Sequence, residues 1–270
     1  MKHKLLTSTA VGALLATSGY VYAEGIGLRF FGGINWLGKQ SHEGLILTNT
    51  LYTIDDNGYT TRSGFVGDFD MDNETGYVFG GAVNYQWDNG LILELEAAYR
   101  RNRLDDFGGS GFRGGTYLST GSSGSFLTST GTRLVVEGDG HVSAVSLMAN
   151  AWYEFNLGNS QWKPYIGGGV GIAWLDMHGL IDATSTFSTG KGPLTKTSTN
   201  VIGFHGTESG FAWQLGAGVG YEFAPGKQIT FDYRYFNGPT LDNVQFGEVE
   251  NDVDYDYSAH NLMLGIKLGL

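Results

Sequence analysis

Three groups of residues in this chain have types and spacings that chemistry could use. Acidic residues form two runs: Asp68, Asp70, Asp72 and Glu74, then Asp242, Glu248, Glu250, Asp252, Asp254 and Asp256. Residues two apart share one face of an extended strand. Each Asp-x-Asp-x-Asp triplet would therefore present a row of oxygens, the donor class taken by Ca²⁺ and Mg²⁺. The helix-loop-helix calcium pattern fails, because Asn73 stands where glycine is needed and Phe79 where glutamate is needed. Solvated acidic loops are the plainer reading of both runs.

Histidines form the second group: His42, His141, His178, His205 and His260, four of them in or beside long connections. His141-Val142-Ser143 and Ser258-Ala259-His260 each place a serine two residues from a histidine. A hydrolase would need a third, orienting partner, and neither pair has a recognisable one. Cysteine is absent, which removes disulfides, thiolate metal sites and thiol nucleophiles. The reading is of a non-enzymatic chain with no catalytic, cofactor-binding or metal-binding residue.

The third group is ionised residues set at alternate positions within apolar segments: Arg29, Glu94, Glu96, Arg100, Glu154, Glu222, Asp232, Arg234 and Lys267. Such groups tolerate enclosure only where they can pair with each other or with trapped water. Glu94, Glu96, Arg100 and Arg234 share one parity and could line an ion-conducting path. A structural charge network filling an enclosed space is the favoured reading.

The segments carrying these charges alternate with period 2, the mark of strands with one apolar face. Eight of them recur: Gly27 to Leu37, Gly76 to Trp87, Leu91 to Arg101, Val142 to Phe155, Lys163 to Leu175, Gly210 to Phe223, Gln228 to Phe236 and Ala259 to Leu270. In the third, Leu91, Leu93, Leu95, Ala97 and Tyr99 alternate with polar positions that include Glu94 and Glu96. Short connections (Asp88-Asn89-Gly90, Asn156 to Trp162, Ala224 to Lys227) alternate with long ones (Gly38 to Thr75, Asn102 to His141, Asp176 to Ser209, Asn237 to Ser258). Long unstructured loops are uncommon in compact soluble domains. Short turns at one end and long loops at the other characterise transmembrane barrels. Phe107 to Thr132, rich in Gly, Ser and Thr, reads as a flexible loop, and such loops on a rigid scaffold commonly carry binding.

Composition agrees. Of 270 residues, 44 are Gly and only 16% are charged, which suits strands and turns over helices. A net charge of −11 argues against nucleic acid as a partner. Met1-Lys2-His3-Lys4, the mostly apolar stretch Leu5 to Ala16, and Val21-Tyr22-Ala23 have the layout of a secretory signal peptide, cleaved after residue 23. Residues 24–270 would then form one domain of charge −13 (14 basic against 27 acidic residues). Apolar rows rich in Phe, Tyr and Trp are hard to fit inside an eight-stranded bore. They fit a lipid-facing surface with aromatic girdles, so the fold class is an all-β, eight-stranded antiparallel transmembrane barrel. A soluble barrel with its apolar rows inward is the rival.

Ser146 to Phe155 (SLMANAWYEF), Lys163 to Gly171 (KPYIGGGVG), Gly216 to Phe223 (GAGVGYEF) and Asp232 to Phe236 (DYRYF) resemble the small outer-membrane β-barrel superfamily of Gram-negative bacteria. That superfamily includes OmpA membrane domains, Opa-type adhesins and alphaproteobacterial surface antigens. The resemblance covers most of Glu24 to Leu270. Family members usually end in Phe or Trp; this chain ends in Leu270, with the apolar row Leu264, Ile266, Leu268, Leu270 kept. The resemblance implies short periplasmic turns, four long extracellular loops, and a structural or surface-interaction role. Implied partners are outer-membrane lipid and lipopolysaccharide, the outer-membrane assembly machinery, and a host or surface ligand. Cations held by the acidic runs would bridge to lipopolysaccharide phosphates. A narrow porin-like channel is the alternative, and a lipid-modifying enzyme a weaker third.

Overall fold

The computed structural model describes residues 25–38, 40–47, 59–120, 123–126, 133–158, 160–188, 195–242, 244–246, 249–250 and 255–270. The expected signal peptide, residues 1–23, lies outside them.

The barrel wall is built from β1 (Ile26–Leu37), β2 (Gly76–Gln86), β3 (Leu91–Thr120), β4 (Arg133–Glu154), β5 (Trp162–Ser188), β6 (Thr195–Ala224), β7 (Lys227–Leu241) and β8 (Tyr255–Gly269). Each pairs antiparallel with its sequence neighbours, and β8 returns to β1 from Gly27↔Gly269 to Leu37↔Ala259. The sheet is therefore closed, and no wall strand presents an unpaired edge to lipid.

Three tight turns gather at one end of the barrel. Gly90, Gly158 and Gly226 sit there with φ of 87°, 67° and 70°, a region that L-residues with a Cβ enter only at a cost. Asn89 and Asn156 each accept a backbone N–H two residues on, Leu91 N at 3.0 Å and Gly158 N at 2.9 Å, which closes two of these turns.

The other end departs from expectation. Four of the strands run well beyond the predicted ends: β3 to Thr120, β4 back to Arg133, β5 to Ser188 and β6 back to Thr195. The β5–β6 ladder is unbroken from Trp162↔Tyr221 to Ser188↔Thr195. Within the connection expected as a loop from Gly38 to Thr75, Gln40–Leu47 and Tyr59–Asn73 pair with each other, and Tyr59–Asn73 pairs with β3. Asp68, Asp70 and Asp72 are thus on a strand. Phe107 to Thr120, read as flexible loop, is paired as well, from Met71↔Phe107 to Tyr59↔Thr120. Backbone pairing needs no buried side chain, so a Gly/Ser/Thr sequence joins a ladder once a hairpin partner lies alongside.

The two faces of the wall are inverted relative to a soluble barrel. Phe211 is 64% exposed, and Phe30, Phe79, Leu95, Ile166, Val170, Leu215, Phe231 and Leu264 are also exposed. Arg234 is 1% exposed, and Arg29, Glu94, Glu96, Arg100 and Asp232 are buried within the bore. Aromatic contacts mark both margins of the exposed apolar band. Tyr85–Trp87 (4.6 Å between ring centroids), Tyr153–Phe155 (5.1 Å) and Trp162–Tyr221 (5.0 Å) lie at the turn end. Phe79–Tyr99 (5.4 Å), Trp213–Tyr235 (5.5 Å) and Trp36–His260 (5.7 Å) lie toward the other. This is the pattern of a lipid-spanning band between two interfaces.

Candidate functional site

Among the described residues, charge is concentrated and enclosed in the bore. Strand alternation sends every second residue inward, and the closed sheet then brings side chains from distant parts of the chain together. Arg29 on β1 reaches Asp232 on β7 and Glu94 on β3, the latter at 3.8 Å. Arg234 on β7 pairs with Glu96 on β3, and lies 3.8 Å from Glu94 and 3.5 Å from Asp232. Five of the nine charges singled out above therefore form one cluster.

The remaining four are placed differently. Arg100 lies toward the loop end, where its Nη1 donates to Ser146 Oγ at 2.8 Å and its Nε to Asn261 Oδ1 at 3.3 Å. Its guanidinium stacks 4.0 Å from the centre of the Phe236 ring. Lys267 and Glu154 meet through Gln86: Lys267 Nζ donates to Gln86 Oε1 at 2.6 Å, and Gln86 Nε2 donates to Glu154 Oε1 at 3.0 Å. Glu222 accepts from the Gly226 N–H of a turn at 3.3 Å.

Neutral partners outside the predicted set complete the cluster. Asn150 Nδ2 donates to Glu94 Oε1 and to Glu96 Oε2, both at 3.1 Å. Trp152 Nε1 donates to Glu94 Oε1 at 3.0 Å, Gln214 Nε2 to Asn150 Oδ1 at 2.7 Å, and Tyr165 OH to Asp232. Trp152 also lies 4.4 Å below the Arg234 guanidinium. Their inward parity was the available signal. The glycines of β5 make the room: a Cβ on Gly167 would come within 2.7 Å of the Trp152 ring and 2.1 Å of the Ala151 carbonyl.

Above this polar layer the bore changes character. Leu104, Val142, Leu175, Met177, Phe204, Phe236 and Tyr257 belong to a buried apolar cluster spanning the interior toward the loop end. A charge network filling the enclosed space is the sequence expectation; toward the loop end the inward residues of the extended strands are instead apolar, and they pack against one another. Below the ion cluster, the turn end opens as a vestibule of ≈ 320 Å³ lined by Lys163, Glu222, Gln228 and Lys267. Between vestibule and cluster, beside Arg29, Glu94 and Tyr165, the free volume is only ≈ 20 Å³, enough for about one water.

The histidine and acidic candidates whose side chains are described lie outside the bore. His260 packs against Trp36 and Tyr235, and its Nδ1 is 2.7 Å from Tyr233 OH. Ser258 shares its strand and its face but not that contact. Asp242 is exposed, and Asp256 accepts from Thr240 Oγ1 at 2.7 Å. Glu248, Asp252 and Asp254 fall outside the described residues, as do the side chains of His42, Asp68, Asp70, Asp72 and Glu250. His141 and His178 stand beside each other on the outer face of β4 and β5, beyond the aromatic margin. Burial, the neighbouring His178 and Arg101 hold the His141 imidazole below its ordinary pKa.

The family described as outer membrane protein β-barrel domain matches residues 44–267. No curated protein matches the chain significantly. Among solved structures, Neisserial surface protein A is similar at 12% identity and a TM-score of 0.37, over 92% of this chain and 98% of that one. The outer membrane protein OprG of Pseudomonas aeruginosa is similar at 13% and 0.43, over 92% and 97%. Ail, the attachment invasion locus protein of Yersinia pestis, is similar at 15% and 0.35, over 91% and 98%.

Proposed function

Since the chain belongs to the outer membrane protein β-barrel domain family, and is thus an integral protein of a Gram-negative outer membrane, we propose that it is a sealed barrel that works at the cell surface. The observation that carries this reading is the filled bore: an ion cluster below, an apolar plug above, and ≈ 20 Å³ of space beside the cluster. An eight-stranded barrel is only just wide enough to be filled by its own side chains, and here they fill it. What such a barrel offers is a rigid support. The strand pairing that continues past the membrane band gives β3 to β6 a platform for surface contact, an adhesin- or antigen-like role without catalysis. In this reading residues 1–23 are removed on export and the assembly machinery inserts the barrel with its three tight turns in the periplasm. Outer-membrane lipid and lipopolysaccharide then surround the apolar band.

The test is attachment of cells that express the chain to surfaces coated with matrix protein. Replacing 40–73 and 107–138 by short turns is expected to abolish attachment while the truncated barrel still reaches the outer membrane. Undiminished attachment by cells carrying the truncated barrel would refute the surface role.

A further inference from the structure

Three histidines stand at one level on three neighbouring strands, on the outer face of the wall just past the loop-end aromatic margin. His141 of β4 lies directly opposite His178 of β5, which lies directly opposite His205 of β6. His141 and His178 are in contact, with ring centroids 3.8 Å apart and planes at 70°. Asp176 is two residues from His178, so strand alternation puts it on the same face, and its Oδ1 is 2.9 Å from His178 Nδ1. One ligand atom from each of His141, Asp176 and His178 lies within 4.8 Å of the others.

We propose that His141, Asp176 and His178 form a binding site for a divalent transition-metal ion of the Zn²⁺ type on the extracellular rim of the barrel. Two imidazole nitrogens and one carboxylate oxygen are the donor set of three-ligand zinc centres, whose fourth position is left to water or an outside ligand. The same set disfavours Ca²⁺ and Mg²⁺, which take oxygen almost exclusively. Tetrahedral bonds of about 2.0–2.1 Å place ligand atoms about 3.4 Å apart. Closing the cluster from 4.8 Å to that size takes side-chain rotation alone, and none of the three is locked in a packed core. A concavity of ≈ 290 Å³ opens beside the two imidazoles, lined also by Arg101, Arg103 and Asp139, and leaves room for a fourth, outside ligand. Two cations line this concavity: Arg103 directs its guanidinium toward Asp139 at 3.4 Å and Glu74 at 3.9 Å, while Arg101 acts on His141 against added positive charge, an opposition the Asp176 carboxylate offsets. His141 comes from β4 and Asp176 and His178 from β5, far apart in the chain, so no short sequence motif joins all three.

The mature protein, refolded in detergent micelles and stripped with a chelator, should be titrated with ZnCl₂ by calorimetry and with CoCl₂ by visible absorption. One ion per chain is expected, with the cobalt complex showing a tetrahedral d–d band. H141A and H178A are expected to weaken binding by about tenfold or more and to remove the band. H205A, whose ring lies outside the three-residue cluster, is expected to leave both unchanged. All three positions are on the outer surface, and retention of the β circular-dichroism signal confirms folding of each variant. Absence of binding up to about 1 mM would overturn the proposal. So would wild-type affinity in the H141A/H178A double variant, which would assign the ion to the acidic segments.

Discussion

Arg234 and Glu96 meet across the full width of the barrel, because β7 and β3 stand on opposite sides of the eight-stranded wall. Both side chains are 1% exposed. The pair ties the two halves of the closed sheet through its interior, where backbone hydrogen bonds connect only adjacent strands.

Removing one member of that pair leaves a buried charge without its main partner. Arg234→Met is expected to destabilise the barrel by about 3–5 kcal/mol, read from urea unfolding in phospholipid vesicles. Adding Glu96→Gln to it should recover a large part of the loss, since the carboxylate left without its main cation is then neutral. A loss in the two-site variant equal to the sum of the Arg234→Met and Glu96→Gln losses would show that the pair is not coupled.

The outward apolar face makes a prediction of opposite sign from that of a soluble barrel. Leu95 is 56% exposed at the middle of the apolar band. On a water-facing surface Leu95→Arg would be harmless. Facing acyl chains, it is expected to cost about 2–4 kcal/mol in vesicle unfolding. A neutral or stabilising effect would contradict the inverted arrangement of the wall.

His141 supplies a pH dependence outside the membrane band. Burial is the main cause holding its imidazole below the ordinary histidine value, with His178 and Arg101 adding to it. The unfolded chain therefore takes up this proton first as pH falls. The stability associated with neutral His141 is complete above the unfolded pKa of about 6.5. It is lost as pH drops below that value and through the folded pKa. In metal-free protein the His141 ring resonances should titrate with a midpoint below that of a free histidine, and H178A should move the midpoint upward. A midpoint at or above the free value would contradict the packing of the two rings.

Much of this arrangement was legible from period-2 alternation. The parity that sent Leu93 and Leu95 outward sent Glu94 and Glu96 inward, and the same holds for Asp232 and Arg234 against Phe231 and Tyr233. Which inward charges would meet was not legible, because that depends on the stagger of strands around the closed wall. Arg100 shares the parity of Glu96 yet stands with Ser146, Asn261 and Phe236 instead. Strand ends were missed for a different reason. Stretches such as Thr184-Ser185-Thr186 carry no apolar row, and they join the sheet because Arg133-Leu134-Val135 lies opposite on one side and Thr197-Ser198-Thr199 on the other. The apolar plug was missed with them, since Val142, Leu175 and Phe236 lie at or beside the predicted ends of their strands, where the inward row turns from polar to apolar. His141 and His178 were noted singly; only the β4–β5 register makes them neighbours.

Single-channel recording on the refolded mature protein in a planar lipid bilayer tests the sealed bore most directly. With the ion cluster and the apolar plug in place, inserted barrels are expected to give no stable current steps above the bare membrane. Reproducible open-channel steps from the wild-type protein would contradict a closed interior and would favour the narrow-channel reading.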